Sequence, residues 1–215
     1  MIQRIFPTLW SAVAAAVFCL ALAPSVARAE APEAVVTAFQ EDLIAVMKES
    51  DSLGVSGRYN KFLGYLDKYF HMPLMVAFVS GGEWTKASKE ERIDLVRAAR
   101  RMSAGELAVL FSGYSGERFA SAGNRPIKDG TILVRTKLKR TSGDDVDITY
   151  RVRKFDENWR IIDVLLDGTI SQLVKRKDEY RRTLEDGGVS ALTNLLNTKA
   201  DEILASETAS GKAAK

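Results

Sequence analysis

The chain has 215 residues, and its 31 Lys and Arg nearly balance its 28 Asp and Glu, for a net charge of +3. That balance argues against a nucleic-acid binder, which needs a surplus of phosphate-neutralising charge. One cysteine excludes a disulfide framework and a multi-thiolate metal site.

The order of elements begins with Arg4, an apolar run from Ile5 to Ala23, and PSVARA before Glu30. Ala27-Arg28-Ala29 fits the small-x-small cleavage pattern, so residues 1–29 are expected to be a secretory signal peptide, cleaved before Glu30. An uncleaved anchor is the alternative; Pro24 and the Ala-rich exit favour cleavage. Without a twin arginine the ordinary secretory route is expected. Cys19 leaves with the signal. The mature chain, 30–215, is then cysteine-free, with a net charge of about +1 once Arg4 and Arg28 are gone, and it is long enough for one domain with a real core. Nothing after residue 29 is long and apolar enough to span a bilayer. The domain is expected over 30–205. The small, polar tail 206–215 is expected to be flexible.

PEAVVTAFQEDLIAVMKES predicts a helix, with Pro32 in the first turn and Val35, Phe39, Leu43 and Val46 or Met47 on one side. DSLGVSG, 51–57, reads as a loop. RYNKFLGYLDKYF predicts a second helix from the spacing of Tyr59, Phe62, Leu63, Leu66, Tyr69 and Phe70. HMPLMVAFVSGGEW predicts a short, deeply buried helix stopped at Gly81-Gly82. Ser88-Lys89-Glu90-Glu91 has the form of a capping box, opening a helix that ends near Arg101; Ser103-Ala104-Gly105-Glu106 offers a second box and a further helix with Leu107, Leu110, Phe111 and Tyr114 on its apolar side.

The period changes after residue 116. GTILVRTKLKR sets Ile132, Val134, Thr136 and Leu138 against Arg135, Lys137 and Lys139. DVDITYRVRKF sets Val146, Ile148, Tyr150 and Val152 against Asp147, Thr149, Arg151 and Arg153. The two form an antiparallel hairpin with one oily and one charged face, on which Asp147 is placed to pair with Lys139. The charged face, which also carries Lys154, is a solvated surface or, secondarily, a partner or anionic headgroup surface. WRIIDVLLDGTI, 159–170, is apolar on both sides, as in an interior strand. In it Trp159, Ile161 and Leu165 face one way, and Ile162, Val164 and Leu166 the other. Asp167 is expected to serve the turn into a helix carrying Leu173, Tyr180 and Leu184, which Gly187-Gly188 ends. A last helix holds Leu192, Leu195, Leu196 and Ile203. The order is helices, a small antiparallel sheet, then helices: an α+β domain.

Few residues carry chemistry. His71, the lone histidine, stands beside Met72-Pro73 and reads as a cap or packing residue; catalysis is the sharper alternative. No His, Asp and Glu cluster has metal-ligand spacing, and no Gly-rich phosphate loop follows a strand. GYSGE fails as a nucleophile elbow, because it ends in Glu117 and follows a helix. Asp163, which alternation places on the strand face of Trp159, Ile161 and Leu165, is the best remaining acid. It is either a general base at the bottom of a pocket or, as the stronger reading, a buried acid tying its strand to a helix.

WRIIDVLLDGTISQLVKRKDEYRRTLEDGGVSALTNLL resembles the end segment of a known family, with its W-x-I-x-D-V strand, its glycine and its Leu-rich helix. PEAVVTAFQEDLI and the 69–119 stretch agree. The chain is similar to the MlaC, or toluene-tolerance, family of periplasmic lipid-binding components of ABC-type lipid transport systems. Phe70-His71-Met72 lacks the Asp common there. Gly168-Thr169-Ile170-Ser171 replaces the commoner Gly-Val-Ser turn, a variant closer to the hopanoid-associated, HpnM-like branch.

The resemblance implies an NTF2-like cone that holds acyl chains between sheet and helices. It implies a phospholipid or hopanoid cargo, and handover to an inner-membrane ABC lipid transporter complex and an outer-membrane component. It implies no cofactor, metal or catalytic residue. The wall of such a cavity is expected to include Val76, Phe78, Val79, Phe111, Tyr114, Val134, Leu138, Ile148, Tyr150, Trp159, Ile161 and Val164. The rival is an NTF2-like isomerase or dehydratase with Asp163 or His71 as base. A protein-binding module with a filled interior is a third reading.

Overall fold

The computed structural model describes residues 31–213; the expected signal lies outside the described residues. Five helices come first: α1 (Pro32–Lys48), α2 (Ser50–Tyr69), α3 (Met72–Ser80), α4 (Gly82–Lys86) and α5 (Lys89–Leu110). Strands β1 (Arg118–Pro126), β2 (Thr131–Lys139), β3 (Val146–Phe155), β4 (Asn158–Leu166) and β5 (Ile170–Ser171) follow, and α6 (Gln172–Ala213) closes the chain. The sheet is antiparallel throughout, in the order β1-β2-β3-β4-β5. This is the expected α+β arrangement. Among the described residues no helix is long and apolar enough to cross a membrane.

Apolar periodicity explains the helices. The stripe Val35, Phe39, Leu43 and Val46 on α1 is buried against the sheet and α2. The capping box at Ser88 is present in both directions: Glu91 N donates to Ser88 Oγ at 3.1 Å, and Ser88 N to Glu91 Oε2 at 2.8 Å. Two apolar clusters result. One lies between the sheet and α1, α2 and the end of α5; the other packs α3 and α5 on α6 around Leu95, Leu192 and Leu196.

Several elements differ from expectation. Residues 51–57 are helical, not a loop: α2 starts at Ser50 and is only kinked at Gly54, whose φ of 57° suits glycine. The buried Arg58 holds this turn, donating from Nη1 to Ser50 O at 2.9 Å and from Nε to Ala108 O at 2.8 Å. The helix from Ser88 does not stop near Arg101; α5 runs on through Ser103 to Leu110. Ala104 and Gly105 are not a break but lie buried within α5. A Cβ on Gly105 would stand 3.5 Å from Ile203 of α6.

Strand β1 was not anticipated. RFASAGNRP is mostly exposed, so it has no alternation to read; backbone pairing with β2 makes it a strand, bulged between Ser121 and Asn124. On the charged face Asp147 pairs with Lys137 directly opposite, at 2.5 Å, and Lys139 takes Asp145 instead, also at 2.5 Å.

The most consequential difference is in β4. Arg151 pairs with Asp163 but Val152 with Ile161, so Ile162 is an extra residue in a bulge. The bulge restarts the alternation. Ile161 sits opposite Val152 while Val164 sits opposite Tyr150, so these two share the inner face; Asp163 and Leu165, both buried, lie on the opposite face with Arg151 and Thr149. The expected grouping of Asp163 with Trp159 and Ile161 is therefore wrong. The helix also starts later than expected, after the short β5 that pairs with Leu165 and Leu166. Asp167 occupies a turn position with φ 50°, and the capping falls to other residues. Gly188, with φ 64°, breaks α6 as expected.

Candidate functional site: a cavity between sheet and helices

The inner face of β2, β3 and β4 does not meet the helices everywhere. Between them lies a cavity of about 510 Å³, within the ~300–1,000 Å³ range usual for ligand sites. Phe39 and Leu43 of α1, Leu66 of α2, Met72 and Met75 of α3, and Leu107 and Phe111 at the end of α5 form one wall. Leu138, Ile148, Tyr150 and Val164 form the sheet wall. Leu110, 71% exposed, and Leu166, 37% exposed, stand at the rim. Apolar side chains exposed beside an apolar hollow mark a way in.

Polar groups collect where α5 meets the start of α6: Ser103, Glu106, Asp163, Gln172 and Arg176. Arg176 pairs with Glu106, and its Nη1 donates to Glu179 at 2.9 Å and to the Tyr180 hydroxyl at 3.1 Å. Burial works against the Arg176 charge, but Glu106, Tyr180 and Glu179 together outweigh it, and the guanidinium is held charged more firmly than usual. Burial pushes the Tyr180 hydroxyl up to about 12. The Tyr150 hydroxyl, deep in the sheet wall, is also pushed up to about 12 by burial, partly offset by a hydrogen bond with Gln40.

Asp163 is 2% exposed and fully engaged. Its Oδ2 accepts from Ser171 Oγ at 2.6 Å and lies 3.3 Å from Arg151 Nη1. Its Oδ1 accepts from Val164 N at 2.8 Å and Leu173 N at 3.2 Å. Ser171 in turn accepts from Val174 N at 3.1 Å. Asp163 and Ser171 thus cap α6 together, and the acid fastens β4 to that helix, as the stronger reading of the sequence held. His71 is likewise a cap. Its Nδ1 accepts from Leu74 N at 3.1 Å, and its ring stacks on Phe155 with centroids 3.9 Å apart. Burial holds its pKa below the usual value, with Arg153 and Arg160 adding to the shift.

The twelve expected wall residues are not all in one place. Phe111, Leu138, Ile148, Tyr150 and Val164 line this cavity. Tyr114 and Val134 line a second one, of about 620 Å³, between α1 and the β1–β2 edge. Val76 and Val79 line a small space of about 80 Å³ among α3, α5 and α6. Ile161 is fully buried and Trp159 half-buried, both as packing of the core. Phe78, expected inward, is 44% exposed, with the Lys177 ammonium 5.2 Å from its ring centroid. Sequence reasoning left out Phe39, Leu43 and Leu66, because an apolar helix stripe looks the same whether it faces a hollow or a solid core. It left out Phe119 because β1 was not seen, and Glu106 and Arg176 because residues 70 apart show no pairing signal.

A helix-backed antiparallel sheet around an apolar hollow, with Asp163 tied into a helix cap and Glu106 into an ion pair, defines an α+β protein built around a cavity. The MlaC protein family model matches residues 37–198, and the chain belongs to that family. No curated protein matches the chain. Its fold is similar to that of the phospholipid-binding protein from Ralstonia solanacearum, solved in complex with a phospholipid at 1.53 Å. The TM-score is 0.70 at 19% identity, over 81% of this chain and 99% of that one. At that identity the likeness establishes the fold.

Proposed function

We propose that this protein is a lipid carrier of the cell envelope. It takes acyl chains into the cavity between sheet and helices, crosses the periplasm, and hands its cargo over as part of an ABC-type lipid transport system. The observation that carries this reading is the hollow itself: about 510 Å³ walled by aliphatic and aromatic side chains, with exposed leucines at the rim. Family membership and the phospholipid held by the Ralstonia solanacearum protein support it.

The physics asks for such a carrier. Each methylene moved into water costs about 0.8 kcal/mol, so two long chains face a barrier on the order of 20 kcal/mol or more. The carrier removes that barrier on loading and meets it again if it releases into water, so unloading requires docking to an acceptor. The acceptors fitting this scheme are an inner-membrane ABC lipid transporter complex and an outer-membrane component. The cargo is a phospholipid or, following the Gly168-Thr169-Ile170-Ser171 variant, a hopanoid. A signal peptide over 1–29 delivers the chain to its compartment.

The test is organic extraction of the purified mature chain followed by mass spectrometry. A stoichiometric lipid is expected, and its mass names the cargo. Preparations that carry no lipid, and bind none from vesicles, overturn the proposal.

A further inference from the structure

Phe119 lines both large cavities. On one side it meets the 510 Å³ space beside Leu138, its partner across the β1–β2 ladder. On the other it meets the 620 Å³ space, where Val36 and Ile44 of α1 and Val134 of β2 share the lining with polar and charged side chains, Gln40, Thr136 and Lys48 among them. Joined, the two would hold slightly more than double the first alone.

Phe119 is placed where a partition can move. It is half-buried rather than locked in the core. It sits on the edge strand β1, which has a neighbour on one side only and loses its register two residues later, between Ser121 and Asn124, where Gly123 has φ 85°. Edge strands with bulges are the parts of a sheet most easily displaced. The α1 side of the boundary is firm by comparison, since the buried Gln40 donates from Nε2 to Thr136 Oγ1 at 3.0 Å.

We infer that Phe119 is the specificity-determining gate between two acyl-chain chambers, and that its rotation admits a further hydrocarbon chain into the space between α1 and the β1–β2 edge. The inference rests on the carrier reading. It adds that the second chamber is a lipid-chain site, and that one side chain sets how much hydrocarbon the protein carries.

The test compares the mature chain with Phe119→Ala, Phe119→Trp and the double variant Phe119→Ala/Ile44→Trp, in which an indole projects from α1 into the path of a chain entering the second chamber. Each is titrated with cis-parinaric acid, a fluorescent fatty acid, and co-purifying lipid is counted by native mass spectrometry. Phe119→Ala is expected to bind at least one more equivalent of fatty acid than Phe119→Trp, and the double variant to return to the Phe119→Trp value. That return also separates gating from mere loosening, because a loosened protein would not recover its lower capacity when Ile44 is enlarged. If the unaltered chain binds neither lipid nor fatty acid, the carrier reading fails. If it binds both and all three variants match it in capacity, the gate is wrong and the carrier reading stands. Should Phe119→Ala fail to fold by circular dichroism, Ile44→Trp alone decides: it must lower the capacity of the unaltered chain if the second chamber takes a chain, and unchanged capacity overturns the inference.

Discussion

Leu138→Trp/Ile148→Trp distinguishes a hollow from a packed interior. Both residues are half-buried, both line the sheet wall of the 510 Å³ cavity, and they lie on adjacent strands. Each indole adds on the order of 60 Å³ over an aliphatic side chain, so the pair would fill roughly a quarter of the space. In a solid core, two such enlargements destabilise by about 1–3 kcal/mol each, through forced rotamers and backbone shifts. In an empty hollow the sign reverses. Filling cavity at ~24 cal/mol per Å³ contributes at most about 3 kcal/mol for the pair. The lipid-free variant is therefore expected to unfold at the same or higher urea concentration than the lipid-free parent, while its lipid load falls sharply. Urea melts of delipidated protein, read beside extracted lipid per mole of chain, give both numbers. A variant that is destabilised and still carries a full load would refute the reasoning, since the side chains would then have entered packed core and missed the lipid site.

Three other outcomes follow from particular contacts. Asp163→Asn removes a charge that accepts from Ser171, Val164 N and Leu173 N, so a loss of about 2–3 kcal/mol is expected in urea melts; a variant as stable as the parent would mean the acid is not the fastener of α6. His71 has its pKa lowered by burial. The unfolded state therefore binds more protons than the folded one between the lowered value and ~6.5, and stability is full above ~6.5 and falls as pH drops through that window. His71→Asn keeps a side chain able to cap α3 and is expected to lose that pH dependence; equal slopes for both proteins between pH 7.5 and pH 5 would exclude His71 as the source. Leu192→Ala, at a 1% exposed site in the cluster of α3, α5 and α6, is expected to cost about 2–5 kcal/mol and to leave lipid per folded chain unchanged; a lost load would show that the two clusters are not independent.

Legibility in the sequence depended on what carried each signal. Alternation exposed β2 and β3, because one face of each is oily and the other charged. The capping box at Ser88 was readable because its two partners are local. What depends on tertiary pairing was not readable. β1 has an exposed, mixed sequence that becomes a strand only when β2 offers a ladder. The bulge at Ile162 changes no residue type, yet it moves Asp163 to the other face of the sheet from Ile161. Ser103-Ala104-Gly105-Glu106 reads as the start of a further helix and lies inside α5, where Gly105 faces Ile203. Five of the twelve expected wall residues line the main cavity. Tyr114 and Val134 line the second cavity and the others lie elsewhere, because apolarity tells that a side chain avoids water and not what it faces instead.

The separation of the two apolar clusters explains how a protein can keep a hollow and stay folded. An unfilled cavity forfeits dispersion contacts along its lining, and an ordinary domain has only about 5–15 kcal/mol of stability to lose. Here most of the loss falls on the sheet side, where the two large cavities lie, and only a space of about 80 Å³ interrupts the helical cluster. Leu95, Leu192, Leu196 and Ala200 pack α5 on α6 with almost no exposure, and Asp163 and Ser171 tie the start of α6 to β4. The helical layer therefore holds the sheet in place from behind whether or not the cavity is occupied. A ligand that fills the cavity adds stability in proportion to the logarithm of its concentration over its Kd, and an acceptor that withdraws it removes only that increment. On the proposed function, loading and unloading would shift the stability of one folded state and need no refolding of the chain.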